Sequence, residues 1–235
     1  MSAQLVYAVS HVERLDLTFA PKPWAFAEER RPEIDAYFAA LKRDKPHLWN
    51  GRVLMLYDYD IAGGVMRGRF LETDFASFTA WGEWGCPPAG AWGCLGAAAV
   101  VSADGAYLLG EMSPHSAAAG RVYFPCGMPD QDDVFDGKVD LAHNVARELM
   151  EETGLGIGAL TAEPGWTMVR SDARVVLFKV VHAPDKADAL RGRVLEYLAR
   201  EDEPELSAIR MVRAPADHIA QMPDFVRAFL AHRGC

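Results

Sequence analysis

The chain has 235 residues, half of them hydrophobic and 24% charged, a globular composition that excludes a disordered or low-complexity protein. Its formal net charge of -9 argues against non-specific nucleic-acid binding, which needs clustered Lys and Arg. It does not argue against a small anionic substrate, because bound cations reverse a local field.

The first predicted element is an amphipathic helix within the segment 31–47, with Pro32 in its first turn and Pro46 just beyond its end. A hairpin follows over 51–73, turning at Gly63-Gly64, and then a helix over 74–84. The stretch GCPPAGAWGC, 85–94, is rich in Gly and Pro and reads as a linker. A domain boundary is set there, dividing the chain into an N-terminal α/β lobe, 1–92, and a larger domain, 93–235. Strands over 95–101 and 106–110 flank an Asp104-Gly105 turn. A loop and a short strand at 121–124 lead to Pro125 and Gly127, where the chain breaks into a long polar loop, 128–138. A helix begins after Asp140. Two strands are expected within 166–181, a helix over 185–200 weakened by Gly192, a strand over 206–213 and a closing helix over 222–233. Strands with helices between them indicate an α/β layer structure.

No apolar run is long enough to span a bilayer, and no basic-then-apolar leader opens the chain. Cys86, Cys94, Cys126 and Cys235 form no CxxC pair, which disfavours a zinc site. A reduced, cytoplasmic protein is the expectation.

The helix after Asp140 carries the chemistry. Asp140 suits the N-cap, and Ala142, Val145, Ala146 and Leu149 form a narrow apolar stripe at helical spacing. Gly154 suits a left-handed C-cap. Glu148 lies three residues before Glu151 and four before Glu152, so three carboxylates share a face. Arg147 lies four before Glu151 and can hold it. Two carboxylates about 5 Å apart at an effective dielectric near 20 repel by roughly 3 kcal/mol. A divalent cation removes that repulsion, and hard oxygen ligands with room for water and phosphate suit Mg²⁺. The plain alternative is a solvated acidic face.

Arg147, Glu148, Leu149, Glu151, Glu152, Gly154 and Leu155 resemble the second half of the Nudix box, R-E-U-x-E-E-x-G-U with U aliphatic. The first half departs from the pattern. Val139 stands where Glu is expected and Asp133 where Gly is expected, so Gly127 is the equivalent glycine and the loop after it is longer than usual. Asp136 or Asp140 is expected to replace the missing Glu.

The resemblance runs from about Gly93 to the C-terminus and implies a Nudix α/β/α sandwich with a mixed sheet. It implies hydrolysis of a nucleoside diphosphate linked to another group, a nucleotide sugar among them, by a magnesium-dependent pyrophosphatase, with Mn²⁺ as a substitute. Arg147, Glu148, Glu151 and Glu152 are the implied catalytic residues. The carbonyl of Gly127 with Glu148, Glu151 and Glu152 is the implied metal shell, and Glu205 is a further candidate acid. The implied partner is a small nucleotide derivative, without nucleic acid or membrane, and a homodimer is compatible with the chain. A Nudix-like nucleotide sensor without catalysis is the competing class.

Weaker likenesses are kept beside this reading. Cys126 in FPCGMP invites comparison with isopentenyl diphosphate isomerase, though a buried structural thiol is the commoner role. The segment 108–133 faintly resembles a coenzyme A pyrophosphatase signature, and the N-terminal lobe resembles that of a Nudix branch acting on UDP-sugars. Trp81, Trp84 and Trp92 are candidates for base stacking. His115, Arg121, Arg170 and Arg174 are candidates for phosphate contact.

Overall fold

The computed structural model describes residues 7–46 and 48–235. Residues 1–6 of the expected lobe and His47, the last residue of the segment holding the expected first helix, lie outside the described residues.

Two strands that periodicity did not reveal come first, β1 (Ala8–Val12) and β2 (Arg14–Phe19). Next are α1 (Ala25–Glu29), α2 (Arg31–Asp44), the hairpin β3 (Arg52–Ala62) and β4 (Val65–Asp74), and α3 (Phe75–Glu83). The hairpin turns on Gly63 and Gly64, at φ 56° and 74°. A two-residue turn between twisted strands needs positive φ at both positions, which glycine adopts without strain. Asp74 ends β4 and caps α3, its side chain accepting from the Ser77 amide at 2.8 Å.

The second half holds β5 (Gly93–Val101), β6 (Tyr107–Met112), β7 (Val122–Tyr123), β8 (Cys126–Gly127), β9 (Val134–Phe135) and β10 (Lys138–Val139). After them come α4 (Leu141–Thr153), β11 (Thr161–Ala162), β12 (Trp166–Arg170), β13 (Arg174–His182), α5 (Ala187–Leu198), β14 (Leu206–Val212) and α6 (Asp224–His232).

The large sheet runs β1-β12-β13-β5-β6-β14. It is mixed: β13 and β5 are parallel and the other pairs of that path antiparallel. Its middle strands are largely apolar because helices cover both faces. On β13, Val175, Leu177 and Val181 share a core with Leu141, Val145 and Leu149 of α4, and with Leu190 and Val194 of α5. On the opposite face Val176, Phe178 and Val180 meet Phe225, Val226 and Phe229 of α6, with the Phe178 and Phe229 rings stacked at 4.1 Å. This is the expected α/β/α sandwich. Gly96 lets α4 lie close on β5, since a Cβ there would come within 2.7 Å of the Asn144 side chain.

The small sheet runs β3-β4-β2-β10-β9. The segment 128–138, expected to be a polar loop, is instead a 3-10 turn over Gln131–Asp133 followed by the β9–β10 hairpin. The hairpin turns on Asp136-Gly137, at φ 49° and 75°. Its β10 strand pairs with β2 through Lys138 and Thr18. Strands therefore cross the expected boundary at residue 92 in both directions: β1 joins the large sheet and β9–β10 the small one. One face of the small sheet, with Leu17, Leu54, Leu56, Met66 and Phe70, shares a core with α4. The other face buries Met55 and Leu71 beneath α1–α3, where Trp24, Phe26 and Trp81 pack.

The three tryptophans considered for base stacking are taken up by packing. Trp81 is buried in the lobe, Trp84 lies beneath the Arg30 guanidinium at 4.5 Å, and Trp92 meets Tyr59 edge-on at 5.5 Å. Among the described residues no helix is long and apolar enough to cross a membrane.

Candidate active site

The acidic face of α4 is set by local rules. The Asp140 side chain accepts from the amides of Ala142 and His143, both at 3.0 Å, and fixes the first turn. Gly154 closes the last turn in the left-handed region at φ 69°. Between these ends, one side of the helix packs on β5, and the other directs Glu148 and Glu152 at β8.

Gly127 of β8 makes room for Glu148. A Cβ on Gly127 would sit 2.2 Å from the Glu148 carboxyl carbon, inside any tolerable contact. One residue earlier, the Cys126 amide donates to Glu152 Oε1 at 2.9 Å. Glu152 is only 2% exposed, and its Oε2 is buried without a hydrogen-bond partner. An orphaned carboxylate oxygen is costly in a protein interior unless something supplies positive charge or a proton.

The electrostatics follow from this burial. Desolvation pushes the Glu152 carboxyl well above the usual carboxylate range, with Glu205 and Glu148 adding repulsion and the Cys126 amide opposing it. Burial raises Glu148 to about 8; Arg147 works against the shift, and Glu151 and Glu205 work with it. Glu205 is raised by desolvation and then by Glu151, with His115 pulling it down. Glu205, 53 positions beyond Glu152 at the entry to β14, is a solvent-exposed residue near enough for its charge to act on Glu148 and Glu152. Its carbonyl accepts from the Ser113 amide at 2.8 Å.

Glu151 is the solvent-facing member, with its side chain 57% exposed. Arg147 Nη1 lies 3.0 Å from Glu148 Oε1 and 3.1 Å from Glu151 Oε2. Arg147 Nη2 turns the other way, to Asp133 at 3.1 Å and Asp130 at 3.4 Å. Burial alone would lower the guanidinium pKa, but Asp133, Glu148 and Asp130 outweigh it and hold the group charged.

Asp133 was missed in the sequence. It is fully buried, accepting from Asn144 Nδ2 at 3.0 Å and from its partner Arg147, with His143 Nδ1 at 2.9 Å. Neither residue expected in its place reaches Arg147: Asp136 forms the β9–β10 turn, and Asp140 caps α4. The sequence signal that would have found Asp133 was the Asp136-Gly137 dipeptide between VF and KV. That dipeptide marks a hairpin and so shortens the apparent loop.

Among the described residues no group of three or more His, Cys, Asp and Glu side chains stands ready as a metal site. Glu148 and Glu151 are turned onto Arg147, and Glu152 onto the Cys126 amide. The donors nonetheless fit a hard divalent cation in kind. They are carboxylates close enough to repel, with the Glu152 Oε2 unused.

The remaining candidates are spread around the molecule. Arg170 bonds the Tyr59 hydroxyl at 2.9 Å. Arg174 opens β13 and lowers the pKa of Cys126, against the larger upward push of burial, Glu152, Glu148 and Glu205. That push keeps the Cys126 thiol protonated and unsuited to proton transfer.

No protein-family model matches this chain, and no curated protein matches it. Solved structures with a similar arrangement include a Nudix hydrolase from M. smegmatis, RenU, at 15% identity and TM-score 0.38, covering 60% of this chain and 81% of that one. Another is the MutT protein of Methanosarcina mazei Go1, at 18% identity and TM-score 0.35, covering 60% and 95%. A third is a C. elegans Ap4A hydrolase, at 17% identity and TM-score 0.35, covering 59% and 97%.

Proposed function

We propose that this chain is a Nudix-type, magnesium-dependent pyrophosphohydrolase that cleaves a nucleoside diphosphate joined to a second group, with nucleotide sugars as the first substrates to try. The observation that carries the reading is the Glu152 carboxylate, buried beside Glu148 and Glu205 with one oxygen unpartnered. A structural helix has no use for acids buried in this way.

Glu148 and Glu152 would hold the cation together with the Gly127 carbonyl, and Glu151 would join them from the solvent side. A bound Mg²⁺ or Mn²⁺ supplies Lewis acidity, neutralising charge on pyrophosphate oxygens and acidifying water. Arg147 would hold Glu148 and Glu151 in place rather than touch substrate. Glu205 is the group we assign to take the proton of the attacking water. Desolvation and the Glu151 charge raise its pKa, with His115 opposing them, and no arginine is paired with it among the described residues.

Turnover of a panel of nucleoside diphosphate derivatives, including coenzyme A, with and without Mg²⁺ or Mn²⁺, tests the reading. Metal-dependent release of two phosphorylated products from at least one member is the expected result. Binding of a nucleotide with no cleavage under any metal would favour the sensor instead. That second reading draws on the engagement of Glu148 and Glu151 by Arg147.

A further inference from the structure

The insert between Gly127 and α4 is fastened to the N-terminal lobe along its length. The Pro129 carbonyl accepts from the Leu54 amide of β3 at 2.8 Å. The Gln131 side chain bonds the Glu72 carboxylate of β4. The Gly137 carbonyl accepts from the Phe19 amide at 2.9 Å, and Lys138 Nζ reaches Asp16 of β2 at 2.8 Å. Asp133 stands in the middle of this insert, with no exposure. Both of its oxygens are engaged: Oδ1 with His143 Nδ1, and Oδ2 with Asn144 Nδ2, Arg147 Nη2 and the Asp130 amide at 3.1 Å. His143 and Asn144 lie four and three positions before Arg147 on α4, so the three side-chain partners present one flank of the helix.

A guanidinium is planar, so fixing Nη2 also fixes the direction of Nη1. Here Nη2 is held by Asp133 and Nη1 faces Glu148 and Glu151. Without Asp133, Nη2 keeps only the longer Asp130 contact at 3.4 Å, and the fork is freer to close on those two glutamates and compete with a cation for them. We propose that Asp133 is the positioning residue for the acidic face of α4, and that the N-terminal lobe serves the site by holding the insert that carries it. This rests on the reading that the acidic face binds a divalent cation. It adds a role for the lobe, and a residue outside the pattern that suggested the function.

The test uses the full chain, with Mn²⁺ as the probe. Free Mn²⁺ is followed by electron paramagnetic resonance, alongside kcat and KM on whichever nucleotide the panel identifies. Asp133→Asn, close to isosteric, is expected to weaken Mn²⁺ binding and lower kcat by about 10- to 100-fold, the usual range for a residue that orients ligands. KM is expected to move little. Gln131→Ala, at the lobe contact, shifts both in the same direction by less. Arg147→Lys keeps the charge but not the fork, and is expected to match Asp133→Asn; adding Asp133→Asn to it changes nothing further. Wild-type Mn²⁺ affinity in either single variant overturns the proposal. So does an Asp133→Asn loss that persists undiminished beside Arg147→Lys.

Where the wild-type chain itself binds no Mn²⁺ and turns nothing over, the functional reading has failed instead. Metal-free melting temperatures of the wild type, Asp133→Asn, Arg147→Lys and the double variant still measure the coupling: losses that simply add show that Asp133 does not act through Arg147, and overturn the inference.

Discussion

The molecule manages its acids in two different ways. On the β3–β4 hairpin three acids each meet an arginine of the same hairpin: Asp58 with Arg69 at 3.7 Å and Asp60 with Arg67 at 3.8 Å, both in the open, and Glu72 with Arg52 at 2.8 Å. Around Gly127, Glu148, Glu151, Asp130 and Asp133 share Arg147, while Glu152 and Glu205 form no ion pair among the described residues. The first arrangement is balanced and solvated, and such pairs add little to stability. The second is buried at Asp133 and Glu152 and short of positive charge, which a chain selected only for stability would avoid. The contrast sets the proposed site apart from the rest of the molecule without reference to any motif.

The sharpest way to break the comparison is Glu152→Gln. Removing the buried charge is expected to lower Mg²⁺-dependent turnover on the order of 10²- to 10³-fold, the scale for losing a main electrostatic contributor. The metal-free fold should hold or gain stability, because a neutral amide needs no compensating cation. Steady-state kinetics with circular dichroism checks both; undiminished turnover sinks the metal assignment. Gly127→Ala comes next. Its methyl group would displace the Glu148 carboxylate, so a loss of about 10- to 100-fold in metal affinity is expected by calorimetry.

A pH series sharpens the contrast through stability. Glu148 has a folded pKa of about 8 against an unfolded value of 4.5. Between those values the native state keeps a proton that the unfolded chain has released, so metal-free stability falls as pH rises through this window. Melting temperatures at pH 5 and pH 8 should show the fall, Mg²⁺ should reverse it at pH 8, and Glu148→Gln should shrink it. A flat profile indifferent to Mg²⁺ would count against a charge-starved site. The smallest effect is expected on the hairpin. Arg69→Gln should cost about 0.5 kcal/mol or less in urea unfolding and leave turnover unchanged.

The helix at the centre of the site was legible because everything that defines it is local. Asp140, the apolar stripe, the three glutamates and Gly154 lie within 15 consecutive positions, and each acts through neighbours three or four residues away. The Gly63-Gly64 hairpin and α2 were legible for the same reason, one through turn chemistry and the other through helical period. The β1 and β2 strands were not. They are short, and each is stabilised by a strand far along the chain, β12 for one and β4 for the other.

Short-range periodicity and capping encode the acidic helix, its ends and the order of most elements, so these can be read along the chain. Three relations appear only once the chain is folded. Glu205 joins the acidic cluster, Asp133 rather than Asp136 or Asp140 lies behind Arg147, and the two sheets exchange strands across residue 92. Each depends on burial or on pairing between distant segments, and a linear pattern carries no distance between residues that meet only when the core closes.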